Sequence, residues 1–280
     1  LGANDRENDL RGRDGDDSIV GGDQQNDLSG EAGNDTLGGG DGGNFLQPGS
    51  ASDEVSGGAG FDELSYIFDS RDGLTDAGIT VTYTSEFGGT VTDYAGDTDT
   101  FSEIDRVRGT LLDDTFVGAD GNQSFRGFAG DDMFDGGEGD EDRVDYSRAR
   151  DDLGASQGIV ADLEAGTVTD AYGDTDTLIG IEEIRGSIFG DRITGSDGRD
   201  ELQGEGGDDT LEGAAGDDYM GGGDGVDTAI FEGAAGNYML YIDGTRDTID
   251  IEDKRAEGTG FDGFDRIELL EFGDGFSFVA

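Results

Sequence analysis

The chain has 280 residues, with 68 Asp and Glu against 17 Lys and Arg, a formal net charge of −51, and no Cys, His or Trp. Such a polyanion excludes nucleic acid as a partner and disfavours anionic membrane surfaces, while the missing side chains exclude disulfides, thiol chemistry, zinc sites of the His type and His acid–base catalysis. Leu, Ile, Val and Phe make up only about a fifth of the residues, a share at which this charge predicts either disorder or a fold completed by bound cations.

No run approaches the roughly 18 apolar residues of a membrane span. Residues 1–9 lack the basic and apolar segments of a signal peptide. The chain starts at Leu1 rather than Met, which reads as an excised fragment or a processed product.

Residues 3–65 form a first block with a period of nine. An aliphatic residue recurs at Leu10, Ile19, Leu28, Leu37, Leu46, Val55 and Leu64. Two places earlier stand Asn8, Asp17, Asn26, Asp35, Asn44, Asp53 and Asp62. Glycines such as Gly30 and Gly33 precede these, and the best-formed unit, residues 57–65, opens with Gly57, Gly58 and Gly60.

A spacer follows at 66–108. Residues 79–83 alternate as a strand and Gly88-Gly89 is a turn signal, so a hairpin is expected. The second block, 109–142, ends its units at Phe116, Phe125 and Phe134, with Asp114, Gln123 and Asp132 two places earlier. Gln123 and an extra residue before Asp142 weaken one edge of it. Residues 143–185 copy the first spacer at an offset of 77, matching 166–177 to 89–100. The third block, 186–230, carries Asp191, Asp200, Asp209, Asp218 and Asp227. Residues 231–280 are denser in apolar side chains and are expected to form a closing β cap.

The pattern G-G-x-G-x-D-x-(aliphatic)-x resembles the RTX, or haemolysin-type calcium-binding, nonapeptide repeat. The resemblance covers about half of the chain as clear nonapeptides. It implies an all-β fold: a parallel β-roll or β-helix solenoid in three blocks, interrupted by hairpin-containing spacers, with two nonapeptides per turn. Glycine permits tight turns with inward carbonyls, and carbonyls with Asp carboxylates are hard oxygen ligands suited to Ca²⁺.

With two repeats per turn, loops eighteen residues apart stack on one edge. The pairs are 8/26, 26/44, 44/62, 17/35, 35/53, 114/132, 191/209, 209/227 and 200/218, so about nine or more Ca²⁺ are expected. The Asn8, Asn26, Asn44 edge offers a neutral oxygen and is expected to bind more weakly, with Asp5, Asp23 and Asp41 as compensating acids. Asp142 and the spacer residues Asp97, Asp99, Asp174 and Asp176 are secondary candidates, against a reading as solvated acidic loops.

The expected function is an extracellular calcium-binding module that folds on Ca²⁺ after type I secretion. Its partners would be calcium ions and the secretion machinery, with cell-surface attachment or self-association as further options. The alternative is a structural or adhesive spacer. A polysaccharide-acting enzyme would need a carboxylate pair, and none stands out, so no catalytic residue is assigned.

Overall fold

The structure is a computed structural model. It describes residues 7–67, 77–93, 95–147, 154–242, 248–254 and 260–279, with only the backbone of Ile242, Thr248 and Ile249. Among these residues the chain is all-β, apart from a single 3-10 turn at Ala235–Asn237.

The nine-residue unit explains the elements. A glycine-rich turn reverses the chain, and a strand of a few residues then points its aliphatic side chain inward and its neighbours outward. Thr36–Gly40, for example, alternates exposed Thr36, buried Leu37 and half-buried Gly38. Successive units lie in two facing sheets, so residues pair at a distance of eighteen. Leu10 pairs with Leu28 and Leu28 with Leu46 in one sheet. Ile19 pairs with Leu37 and Leu37 with Val55 in the other.

The chain divides into two compact units, Leu1–Asp142 and Arg143–Ala280. In the first unit, one sheet runs Asn8–Asp14, Asn26–Ala32, Phe45–Ser50, Glu63–Ser65, Arg106–Arg108, Ser124–Arg126. The other runs Ser18–Val20, Thr36–Gly40, Glu54–Gly58, Thr98–Ser102, Gly88–Thr92, Thr80–Ser85, Thr115–Val117, Met133–Asp135. The spacer therefore inserts three antiparallel strands into one sheet only. Its last strand joins the preceding block and its first joins the following one. The other sheet steps directly from Leu64 to Val107. The expected hairpin is thus present.

In the second unit, Thr175–Ile179, Thr167–Thr169 and Val160–Asp162 form the equivalent antiparallel insert, followed by the parallel strands Arg192–Thr194, Thr210–Glu212 and Thr228–Phe231. In the final segment Phe261–Asp265 and Leu269–Phe272 continue the two parallel stacks against Tyr219–Asp224 and Thr228–Phe231, and antiparallel strands then follow: Thr248–Asp253 and Tyr238–Ile242 on one sheet, Ser277–Val279 on the other.

The core of each unit is one file of side chains per sheet. Ile19, Leu28, Leu46, Leu64, Val107, Phe116, Phe125 and Phe134 are fully buried in the first unit. Ile184, Ile193, Leu202, Leu211 and Met220 are fully buried in the second. Where the file widens to Phe, the rings of Phe116 and Phe134 stack at 5.0 Å. A core this thin leaves much of the stability to whatever fills the turns.

Candidate metal centre

Each repeat turn begins with a residue pressed against the turn eighteen residues on. A methyl group on Gly12 would lie 2.9 Å from Asp17 Oδ2 and 2.6 Å from the Gly30 carbonyl oxygen. On Gly204 it would meet Asp209 Oδ2, with the Gly222 carbonyl oxygen 2.6 Å away. On Gly30 it would touch Asp35 Oδ2 and the Pro48 carbonyl oxygen. In each case a carboxylate oxygen and a main-chain carbonyl of the next turn converge on space that glycine keeps free.

The turns are held in a strained backbone. Eight non-glycine residues have positive φ among the described residues, and six sit in repeat turns: Arg13, Glu31, Ala51, Phe128, Glu205 and Ala214. Left-handed residues outside glycine cost about 1–2 kcal/mol each, so this geometry is imposed by its surroundings.

The repeat Asp uses its two oxygens differently. Oδ1 accepts the main-chain amide of the residue eighteen positions earlier: Asp17 to Asp35 at 2.7 Å, Asp35 to Asp53 at 2.6 Å, Asp114 to Asp132 at 2.8 Å, Asp191 to Asp209 at 2.7 Å, Asp200 to Asp218 at 2.9 Å and Asp209 to Asp227 at 2.9 Å. Oδ2 of Asp35, Asp53, Asp62, Asp209, Asp218 and Asp227 is buried with no hydrogen-bond partner. An orphaned buried carboxylate oxygen is costly and calls for a cation. Burial raises the carboxyls of Asp53 and Asp209 to about 7 and that of Asp218 to about 8, with neighbouring acids adding to the effect.

Other turns close on themselves. Where Thr110, Ser187 or Ser196 replaces the second glycine, its amide donates to the second oxygen of Asp114, Asp191 or Asp200 at 2.6 Å. The hydroxyl donates to the same carboxylate, at 3.0 Å from Thr110 and 2.7 Å from Ser187 to Oδ1, and at 3.0 Å from Ser196 to Oδ2. None of these three residues takes the left-handed φ of the open turns. The Asn edge closes through its amides. Asn26 Nδ2 donates to the carbonyls of Gln24 at 2.5 Å and of Gly22 and Gly39 at 3.2 Å. Asn44 Nδ2 donates to the Gly42 carbonyl and, at 3.4 Å, to that of Gly57. A donor group thus stands where the Asp turns present an acceptor. Asn8 Nδ2 donates to Asn26 Oδ1 at 2.8 Å, and Asp23 and Asp41 are exposed on the outside of these turns.

The spacer candidates separate in the same way. Asp99 continues the Asp ladder by accepting the Asp53 amide at 2.9 Å, and its other oxygen accepts the Tyr66 hydroxyl at 2.7 Å. Asp176 accepts the Tyr146 hydroxyl at 2.8 Å. The amides of Asp97 and Asp174 donate to Asp93 at 2.9 Å and Asp170 at 2.8 Å. Asp93 and Asp170 were not singled out from sequence, yet each buries an Oδ2 without a hydrogen-bond partner. The offset of 77 that relates them was the available signal. Asp142 accepts the Gln123 amide at 2.6 Å, and its Oδ2 faces Gly139. Asp5 lies outside the described residues.

An outer ladder also escaped sequence reasoning. At several turns the residue before the repeat Asp accepts the amide eighteen positions later: Asn34 to Asp16 at 2.9 Å, Ser52 to Asn34 at 3.2 Å and Asp131 to Asp113 at 2.9 Å. It runs opposite in sense to the inner one.

A model of the RTX calcium-binding nonapeptide repeat, four copies long, matches residues 3–37, 11–46, 108–140, 185–220 and 194–229. The chain carries RTX calcium-binding repeats. No curated protein matches it. Among solved structures, the extracellular lipase LipA from Serratia marcescens is similar at 15% identity and a TM-score of 0.19, over 91% of this chain and 37% of that one. The chain therefore spans little more than a third of the lipase's length.

The residues of the RTX turns fit Ca²⁺. Among the described residues no group of three or more His, Cys, Asp or Glu side chains gathers as a metal site. Each turn instead offers one carboxylate oxygen beside main-chain carbonyls, a hard oxygen set of the kind calcium accepts. The open RTX turns have this set and an unsatisfied anion. The turns closed by Ser, Thr or Asn have already paired theirs.

Proposed function

We propose that this RTX chain is a calcium-operated folding module of an exported protein, unfolded where Ca²⁺ is scarce and folded outside the cell. The observation that carries the reading is the buried, unpartnered Oδ2 of Asp35, Asp53, Asp209 and Asp218. Without a cation these anions oppose a fold whose hydrophobic core is one file of side chains per sheet. With Ca²⁺ bound they become its main fastening, and binding free energy becomes folding free energy.

Export by a type I machinery and an extracellular location belong to this proposal, because a chain that folds only in millimolar calcium stays threadable until it is outside. The reading assigns calcium as the ligand and no reaction to these residues. No described helix is long and apolar enough to cross a membrane.

A far-UV circular dichroism titration tests it. Strand signal should be low in EDTA and should rise cooperatively with calcium, while equal ionic strength of sodium or magnesium falls short. A spectrum already rich in strand in EDTA, and unchanged by calcium, would overturn the reading.

A further inference from the structure

We propose two additional calcium sites at the closing turns that end the first and third repeat blocks, one between Asp62 and Glu103 and one between Asp227 and Arg266. The proposal rests on the reading of the open turns as calcium sites. It extends that reading to turns outside the nonapeptide pattern.

The two closing turns are built alike. After the last repeat of each block, the following turn comes from 43 or 41 residues further along, where no glycine-rich loop exists. Its residues are Glu103, Ile104 and Asp105 in one case and Arg266, Ile267 and Glu268 in the other. Asp105 Oδ2 accepts the Asp62 amide at 2.7 Å, and Glu268 Oε2 accepts the Asp227 amide at 2.8 Å. The Asp62 carbonyl accepts the amides of Asp105 and Arg106 at 3.0 and 3.2 Å. The Asp227 carbonyl accepts those of Glu268 and Leu269 at 3.1 and 2.9 Å. Asp105 and Glu268 thus position the turn as a repeat Asp would.

The first residue of each turn is left-handed, Glu103 at φ 56° and Arg266 at φ 48°. These are the two strained non-glycine residues that the repeats do not account for. Strain of this kind persists where a function holds it. Its effect here is to aim a carbonyl inward. A methyl group on Gly57 would touch the Glu103 carbonyl oxygen and lie 2.8 Å from Asp62 Oδ2. On Gly222 it would touch the Arg266 carbonyl oxygen and lie 2.5 Å from Asp227 Oδ2. Both Asp side chains are fully buried, and both Oδ2 atoms lack a hydrogen-bond partner. The pairing of an orphaned carboxylate oxygen with an inward carbonyl is therefore reproduced at each closing turn. The Glu103 carboxylate is turned away, accepting the Ser56 hydroxyl at 2.7 Å.

Calcium stoichiometry of the full chain, by titration calorimetry and by metal analysis after desalting, tests the proposal on Asp62→Asn, Asp227→Asn and, as a repeat-loop reference, Asp35→Asn. Asn is already tolerated in such a turn at position 44. Each variant is expected to stay folded in calcium and to bind one ion fewer, and the Asp62→Asn, Asp227→Asn double variant two fewer. If Asp35→Asn loses an ion while Asp62→Asn and Asp227→Asn keep the full number, the closing-turn sites are overturned and the repeat sites stand. If the unaltered chain binds no calcium, both readings fall. Should a variant not fold, anomalous calcium peaks in crystals of the unaltered chain decide: peaks at both closing turns support the sites, and their absence beside filled repeat loops overturns them.

Discussion

The hydroxyl of Tyr66 donates to Oδ2 of Asp99 at 2.7 Å, with both side chains buried. Asp99 is the next member of the ladder of Asp17, Asp35 and Asp53, and the phenol pairs its Oδ2, the atom that in Asp53 has no hydrogen-bond partner. The second spacer repeats the pair as Tyr146 and Asp176 at 2.8 Å. The ladder thus ends on a carboxylate whose second oxygen is paired by a phenol.

Tyr66→Phe removes this donor and strands a buried carboxylate oxygen. The expected loss is about 1–3 kcal/mol where calcium is limiting. Thermal unfolding in limiting and in saturating calcium measures it, and the loss should be smaller in saturating calcium, where an ion can take the place of the hydroxyl. An equal loss in both conditions would count against the substitution of phenol for metal.

Asn44→Asp exchanges a donor for an acceptor among the carbonyls of Gly42 and Gly57. The variant should lose stability where calcium is limiting, because a carboxylate then faces carbonyls, and should bind one more Ca²⁺ than the unaltered chain. Calcium stoichiometry and melting temperature, read together, check both halves. No added ion would show that the Asn edge lacks the remaining ligands.

The metal-free chain should respond to pH in a direction opposite to ordinary acid denaturation. Burial lifts Asp53, Asp209 and Asp262 to about 7 and Asp218 to about 8, above the usual carboxylate value of about 4. A folded pKa above the unfolded one gives stability that is full below the unfolded value and is lost as pH rises through the folded value. In EDTA the strand signal the chain retains should therefore be greater at pH 5.5 than at pH 8. In saturating calcium the order should reverse, since protons compete with the metal for the same oxygens.

Ala214 is held at φ 71° in the turn of Asp218. Ala214→Gly relieves a left-handed alanine and should raise stability by about 1 kcal/mol, net of glycine's greater unfolded-state entropy. Its calcium count should not change. A destabilised variant would mean that Ala214 is held by packing as well as by backbone.

The register was legible in the sequence because it depends on one local rule. An inward aliphatic every ninth residue forces Leu28 opposite Leu46 and Leu37 opposite Val55, as found. The spacer hairpins were legible from alternation for the same reason. What each turn does with its carboxylate was less so. Asp114, Asp191 and Asp200 look like Asp35 in the repeat pattern, but Thr110, Ser187 and Ser196 saturate them. That signal was present, one small polar residue in place of the second glycine. The amide orientation of Asn26 and Asn44 was not, since it is decided by carbonyls of a turn thirteen residues away. Asp105 and Glu268 were hidden because they join the ladder across 43 and 41 residues, outside any fixed period.

The pairing of strands at a distance of eighteen makes one full coil, rather than one nonapeptide, the quantum in which such a chain can grow or shrink. Duplicating eighteen residues inside 8–65 would add a coil and leave every sheet, ladder and edge in phase. Duplicating nine would send each later strand to the opposite sheet and bring the turns of the Asn26 edge under those of the Asp35 edge, mixing donors with acceptors along one file. Length variation of this block should therefore be stepwise, and the two edges, one neutral and one acidic, can diverge in composition only because that step is even.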